Sequence, residues 1–98
     1  MKIEPIPFEP PLLEQDFTLS EKKVQGAHIG KREGALFVSS SSRYKLECSS
    51  SQKVFVLEGE GHFKWKRGET NYREGQAFLL EKIGEYELSG AGKYLIIF

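Results

Sequence analysis

Apolar residues recur in short bursts separated by glycine, serine and charged residues, and within several bursts they fall at every second position. On this period-two pattern, and on their β-branched and aromatic content, seven segments read as strands: Ala35–Val38, Tyr44–Cys48, Val54–Glu58, Phe63–Lys66, Ala77–Leu80, Glu85–Leu88 and Tyr94–Phe98. Tyr44, Leu46 and Cys48 share one strand face, and Arg43, Lys45 and Glu47 share the other, so one face reads as interior and one as solvated. Glycines punctuate the bursts, and turn signals at such spacing predict a sandwich or barrel. No stretch carries the 3.6-residue period of an amphipathic helix. The serine clusters Ser39–Ser42 and Ser49–Ser51, and His28 between Gly26 and Gly30, read as loops.

The two ends of the chain differ from this pattern. Pro5, Pro7, Pro10 and Pro11 all fall in the first eleven residues, where fixed φ and missing N–H donors predict an extended segment outside any central strand. Residues 1–15 therefore read as an arm and residues 16–98 as the folded unit. Such an arm is either loose or laid across a partner subunit, and Ile3, Ile6, Phe8, Leu12 and Leu13, more apolar than a solvated arm requires, favour docking. The run Tyr94–Phe98 would be an aggregation hazard as an exposed edge, so it is expected inside the barrel or sealed by a second copy.

Composition narrows the function classes. The 98 residues suit one domain, and one of this size buries only about 60–65% of its unfolded surface, so dimerisation would help it. Fourteen basic and fourteen acidic residues cancel, which gives no electrostatic footprint for nucleic acid or an anionic membrane. The densest basic group, Lys64, Lys66 and Arg67 around Trp65, reads as the solvated face of a hairpin. Met1 to Pro11 has no apolar run of the signal-peptide kind, the longest apolar stretch is five residues, and a cytoplasmic location is the default expectation. Cys48 is the only cysteine, so neither an internal disulfide nor a zinc-finger spacing can be built on it.

Two motifs carry a resemblance. Val54-Phe55-Val56-Leu57-Glu58-Gly59-Glu60-Gly61 resembles the end of the first cupin motif, and Arg73-Glu74-Gly75-Gln76-Ala77-Phe78-Leu79-Leu80 resembles the start of the second, with a hairpin between them whose turn is Arg67-Gly68-Glu69. The ending, Gly84-Glu85-Tyr86-Glu87-Leu88 and then Lys93–Phe98, is similar to the C-terminal cupin half of bacterial type I phosphomannose isomerases, and Asp16-Phe17-Thr18-Leu19 is weakly similar to the strand that opens that half. The resemblance implies an all-β, single-domain cupin-type jelly-roll barrel. It also implies where a metal would be held: two histidines and a glutamate from the first motif and a histidine from the second, alternating into the barrel. In register, those positions fall on Leu46, Cys48 and Gln52, with the last near Tyr86, and Glu81 stands where a proline is common. No expected ligand is retained, so no metal or other cofactor is expected.

The remaining chemistry is sparse. His28 and His62 are isolated, and His62 is expected to face outward with Lys64 and Lys66. Cys48 has no histidine near it in sequence, and reads as a small buried hydrophobe. The glutamates near turns read as solvated, with Glu81 the one expected at the barrel mouth, and Trp65 and Tyr86 are candidates for stacking on a sugar ring. No catalytic residue is assigned. The residues expected around a vestigial ligand pocket are Leu46, Cys48, Gln52, Tyr86, Trp65 and Glu81. Together these readings predict a metal-free, non-catalytic cupin that forms a homodimer and binds a small molecule or carbohydrate. The alternatives are a sugar-phosphate isomerase relative and an accessory subunit of a separate catalytic cupin.

Overall fold

A computed structural model describes residues 2–98. Nine antiparallel strands make up the domain: β1 (Lys2–Ile6), β2 (Ala27–Arg32), β3 (Ala35–Ser40), β4 (Arg43–Cys48), β5 (Ser51–Trp65), β6 (Gly68–Arg73), β7 (Ala77–Glu81), β8 (Gly84–Ser89) and β9 (Gly92–Ile97). One 3-10 turn, Glu14–Asp16, is the only helical element among the described residues. The strands form two sheets that share β5. The first has the order β1-β7-β5-β9-β3-β2. The second pairs β6 and β8 with the last part of β5, and β4 with β8.

β5 holds the barrel together. Its residues Ser51–Gly59 pair with β7 and β9, and Glu60–Trp65 pair with β6 and β8. The sequence pattern predicts two strands here, broken at Gly59–Gly61. The chain instead runs straight through, with an irregularity between Val56 and Glu58, and the glycines mark the crossing from one sheet to the other. A Cβ on Gly59 would collide with the Ala91 carbonyl, and one on Gly61 with the Ser89 carbonyl. Only bare backbone fits so close an approach.

Three strands lie outside the seven expected ones. β2 takes in His28, read above as a loop residue, and β6 follows a turn at Lys66–Arg67 rather than at Arg67–Glu69. β1 comes from the proline-rich arm. It pairs with β7 at the edge of the sheet, where Pro5 has no ladder bond to lose on its open side. Ser39 and Ser40 extend β3, and Ser51 begins β5, so the serine clusters are loops only at Ser41–Ser42 and Ser49–Ser50.

The interior is filled with side chains. Leu36, Val38, Tyr44, Val54, Val56, Phe63, Tyr72, Phe78, Leu80, Tyr86, Leu88, Tyr94 and Ile96 are buried in one continuous cluster. Full burial of each such side chain contributes roughly 1.5–3 kcal/mol. At one end the Tyr72 and Tyr94 hydroxyls meet at 2.5 Å, and the Tyr94 hydroxyl also lies 2.9 Å from the Gly90 carbonyl.

The outer faces of the two sheets are opposite in character. On the second, Arg43, Lys45 and Glu47 stand beside Glu85, His62 and Lys64, all exposed. On the first, Ala35, Phe55, Ala77 and Leu95 make a second apolar cluster, covered by Ile6, Leu12 and Phe17. The end of the arm and the segment that follows it, residues 7–20, lie across this face as a strap. Phe8 meets Phe55 edge-on at 6.2 Å, and Phe17 packs on Phe37 at 5.6 Å. Lys93 Nζ ties the strap down through Glu14 at 2.9 Å. The arm therefore docks on its own domain. β9 lies between β5 and β3, so the apolar run Tyr94–Ile97 is no exposed edge and needs no second copy to seal it.

Candidate functional site

Strand alternation sends Tyr44, Leu46 and Cys48 of β4 inward, and Tyr86 of β8 stands directly opposite Leu46. Gln52, on the first turn of β5 into the barrel, is 7% exposed and reaches the same place. The Tyr86 hydroxyl donates to Gln52 Oε1 at 2.7 Å, and Gln52 Nε2 donates to the Glu47 carbonyl at 2.7 Å. The Cys48 thiol lies 3.6 Å from the Leu80 carbonyl and 3.7 Å from the Ser50 carbonyl. The Tyr86 ring stacks on Phe63 with centroids 5.0 Å apart and planes 7° from parallel. Burial pushes the Tyr86 phenol far above its ordinary value, with smaller contributions from Cys48 and Tyr44, so it stays neutral. Four positions scattered from 46 to 86 thus converge, and their polar atoms satisfy one another and the backbone.

The other two expected site residues lie elsewhere. Glu81 shares the outward face of β7, half-exposed, 3.6 Å from Lys2 Nζ. Strand alternation that turns Leu80 inward turns Glu81 out. Trp65 ends β5 on the same inward row as Phe63, and the two rings meet edge-on at 6.2 Å. It also borders an open concavity of about 540 Å³ whose charged side chains, Lys45, Lys64 and Glu87, form one cross-strand row on the outer face of the second sheet. Lys45 and Ile83 were not among the sequence candidates. Both are ordinary surface or core residue types, and only the pairing of β4 and β5 with β8 brings Lys45 into one row with Glu87 and Lys64.

The histidines remain apart. His28 Nδ1 lies 2.8 Å from the Ser20 carbonyl, which ties β2 to the strap. His62 Nδ1 lies 3.0 Å from Glu69 Oε2 across the β5–β6 hairpin, on the exposed side with Lys64.

No family model matches the sequence, and no curated protein does. Solved structures do match. The mannose 6-phosphate isomerase of Bacillus subtilis overlays with a TM-score of 0.64 at 15% identity, over 88% of this chain and 30% of its own. That of Salmonella typhimurium, solved with substrate and zinc bound, overlays with a TM-score of 0.63 at 12% identity, over 84% of this chain and 22% of its own. This chain has the fold of a phosphomannose isomerase cupin domain. At this identity the likeness establishes the fold alone, and the chain spans less than a third of the length of those isomerases.

The cupin architecture raises the question of a metal, and the residues present do not fit one. Leu46 has no donor atom. The Gln52 carbonyl oxygen already accepts from Tyr86. The Tyr86 phenol is held protonated by burial, and the Cys48 thiol lies against the Leu80 and Ser50 carbonyls. No group of three His, Cys, Asp or Glu side chains is gathered among the described residues. Divalent transition metals need several converging deprotonated N, O or S donors. This barrel offers a hydrogen-bonded core at that place. Among the described residues, no helix is long and apolar enough to cross a membrane.

Proposed function

We propose that this cupin domain is non-catalytic, a metal-free barrel that pairs with a second copy of itself and takes a small ligand at its mouth. The observation that carries the reading is the Tyr86–Gln52 hydrogen bond of 2.7 Å, set in the middle of the positions where a cupin would hold its metal. A carboxamide engaged at both ends and a neutral phenol supply neither a Lewis acid nor a general base. The isomerase activity named for the similar solved structures belongs to chains roughly three to four times as long, and sharing their fold does not transfer it.

Self-association has its own support. Val24 and Phe98 are 41% and 59% exposed and border a hollow lined by Ile29, Leu36 and Tyr44. A two-fold copy is the simplest way to cover such a patch on a small domain. Sedimentation should give a dimer, shifted towards monomer by Val24→Ser with Phe98→Ser. The catalytic question is tested by incubating the protein with an aldose phosphate and added Zn, Mn, Fe or Ni. No ketose should form, and turnover above the metal blank would overturn the non-catalytic reading.

A further inference from the structure

A hollow of about 580 Å³ opens between β2 and β4, the edge strands of the two sheets on that side of the barrel. The side chains that face it come from inward rows. Ala27 and Leu36 are buried in the core cluster, so alternation along β2 turns Ile29 and Lys31 to the interior side, and Lys31 stands directly opposite Leu36. Tyr44 belongs to the inward row of β4, and Phe98 continues the buried row of Tyr94 and Ile96 in β9. With Val24, which bridges to Ala27, these residues make walls that are mostly apolar.

Two polar groups stand among them. Tyr44 is 5% exposed, yet its hydroxyl meets no hydrogen-bond partner among the described residues. The Ser40 hydroxyl is the only fully sealed side-chain group without a partner there, so that of Tyr44 opens to the hollow. A polar group in so buried a residue is costly to leave unpaired, and one that faces a hollow is available to an occupant. Lys31 joins no ion pair among the described residues, and no aspartate or glutamate lines the hollow. Arg32, the other cation at its edge, turns to the outer side and donates to the Asp16 carbonyl at 3.3 Å. Even with the carboxylate of Phe98 at the rim, these two cations leave the local balance positive.

We infer that this opening binds an aliphatic carboxylate, its chain against Ile29 and Leu36 and its head between Lys31 and Tyr44. The ammonium and the hydroxyl each donate to one of the two carboxylate oxygens; a cation offers them no acceptor, and a neutral alcohol answers them only in part. This inference rests on the reading of the domain as a small-ligand binder and names the ligand class. It leaves Val24 and Phe98 at the rim, where a second copy would close over the occupant. The volume of about 580 Å³ lies within the range of small-ligand sites. One short chain and one charged head imply modest affinity, with Kd of about 0.1–1 mM for an eight-carbon acid.

The full chain should be titrated by calorimetry with octanoate, hexanoate, octanol and octyltrimethylammonium, with sedimentation measured on the same samples. Octanoate should bind saturably. Hexanoate should bind at least about fivefold more weakly, because it buries two fewer methylenes and each is worth up to about fourfold. Octanol should also bind at least about fivefold more weakly, and the cation should not bind. Lys31→Gln should reduce octanoate to the level of octanol and leave octanol itself unchanged, while Tyr44→Phe should weaken both. Octanoate binding that Lys31→Gln leaves intact, equal binding of the cation, or no dependence on chain length would overturn the inference. So would the absence of heat with octanoate at millimolar concentration. Sedimentation as a dimer with no octanoate bound would mean that the second copy fills the hollow itself, so the ligand would fail while self-association stands. Octanoate bound to a monomer would support the ligand and refute the self-association. Turnover of an aldose phosphate is a separate result from both.

Discussion

Replacing Tyr86 with Phe removes one hydroxyl from the barrel and little else. The ring keeps its 5.0 Å stack on Phe63, so the cavity contribution is small. Gln52 Oε1, in a residue 7% exposed, loses its donor. An unsatisfied buried acceptor costs about 1–3 kcal/mol. Gln52→Leu fills similar volume but strands two groups, the Tyr86 hydroxyl and the Glu47 carbonyl, and should cost a comparable ~1–3 kcal/mol. The double variant removes both ends of the Tyr86–Gln52 bond at once, so its cost should fall below the sum of the singles by about 1–2 kcal/mol. Urea unfolding reads these values: at an m-value of about 1 kcal/mol per M, each single variant lowers the midpoint by about 1–3 M with m unchanged. Strict additivity, or single variants within about 0.5 kcal/mol of the parent, would mean that these two groups are not each other's partners. The place would then be open to solvent or ligand.

Other perturbations probe other parts of the domain. Leu46→His and Cys48→His with Gln52→Glu should confer micromolar or tighter zinc affinity by calorimetry, because the three positions converge; a folded variant that binds no divalent metal would refute the register. All four tyrosines are buried with pKa values raised by burial first, so the unfolded chain gives up phenolic protons near pH 10 while the native state keeps them. Stability is thus full below about pH 10 and falls as pH rises above it, by up to ~1.4 kcal/mol per pH unit for each tyrosine. Tyrosinate absorbance should then rise together with loss of near-UV dichroism, and ionisation before unfolding would contradict the burial. Phe17→Ala strips the strap of its contact with Phe37 and should cost about 2 kcal/mol in thermal unfolding; a change under about 0.5 kcal/mol would show that the strap does not hold there.

Burial pattern made most of the barrel legible. The inward row Tyr44-Leu46-Cys48 alternates cleanly because one side faces a filled interior and the other water. β2 escaped the same reading because Ala27 and Ile29 are its only apolar side chains, and β6 because Tyr72 alone turns inward. Gly59 and Gly61 misled for a physical reason: glycine serves a tight turn and a close backbone crossing equally well, and only the position of Ala91 and Ser89 distinguishes them. In the site, the family register brought Leu46, Cys48, Gln52 and Tyr86 together, but their state depends on a hydrogen bond between residues 34 apart in sequence, which no local pattern encodes. Glu81 was placed by its neighbours Leu79 and Leu80, and its turn outward to Lys2 follows from β1, a strand hidden behind prolines.

The most direct test of the proposal that this barrel keeps a hydrogen-bonded core where a cupin would hold a metal is the metal content of the purified, untagged protein before and after incubation with Zn, Mn, Fe and Ni. Dialysed samples should retain no stoichiometric metal. One tightly held ion per chain would contradict the claim and require Gln52, Tyr86 and Cys48 to rearrange around it.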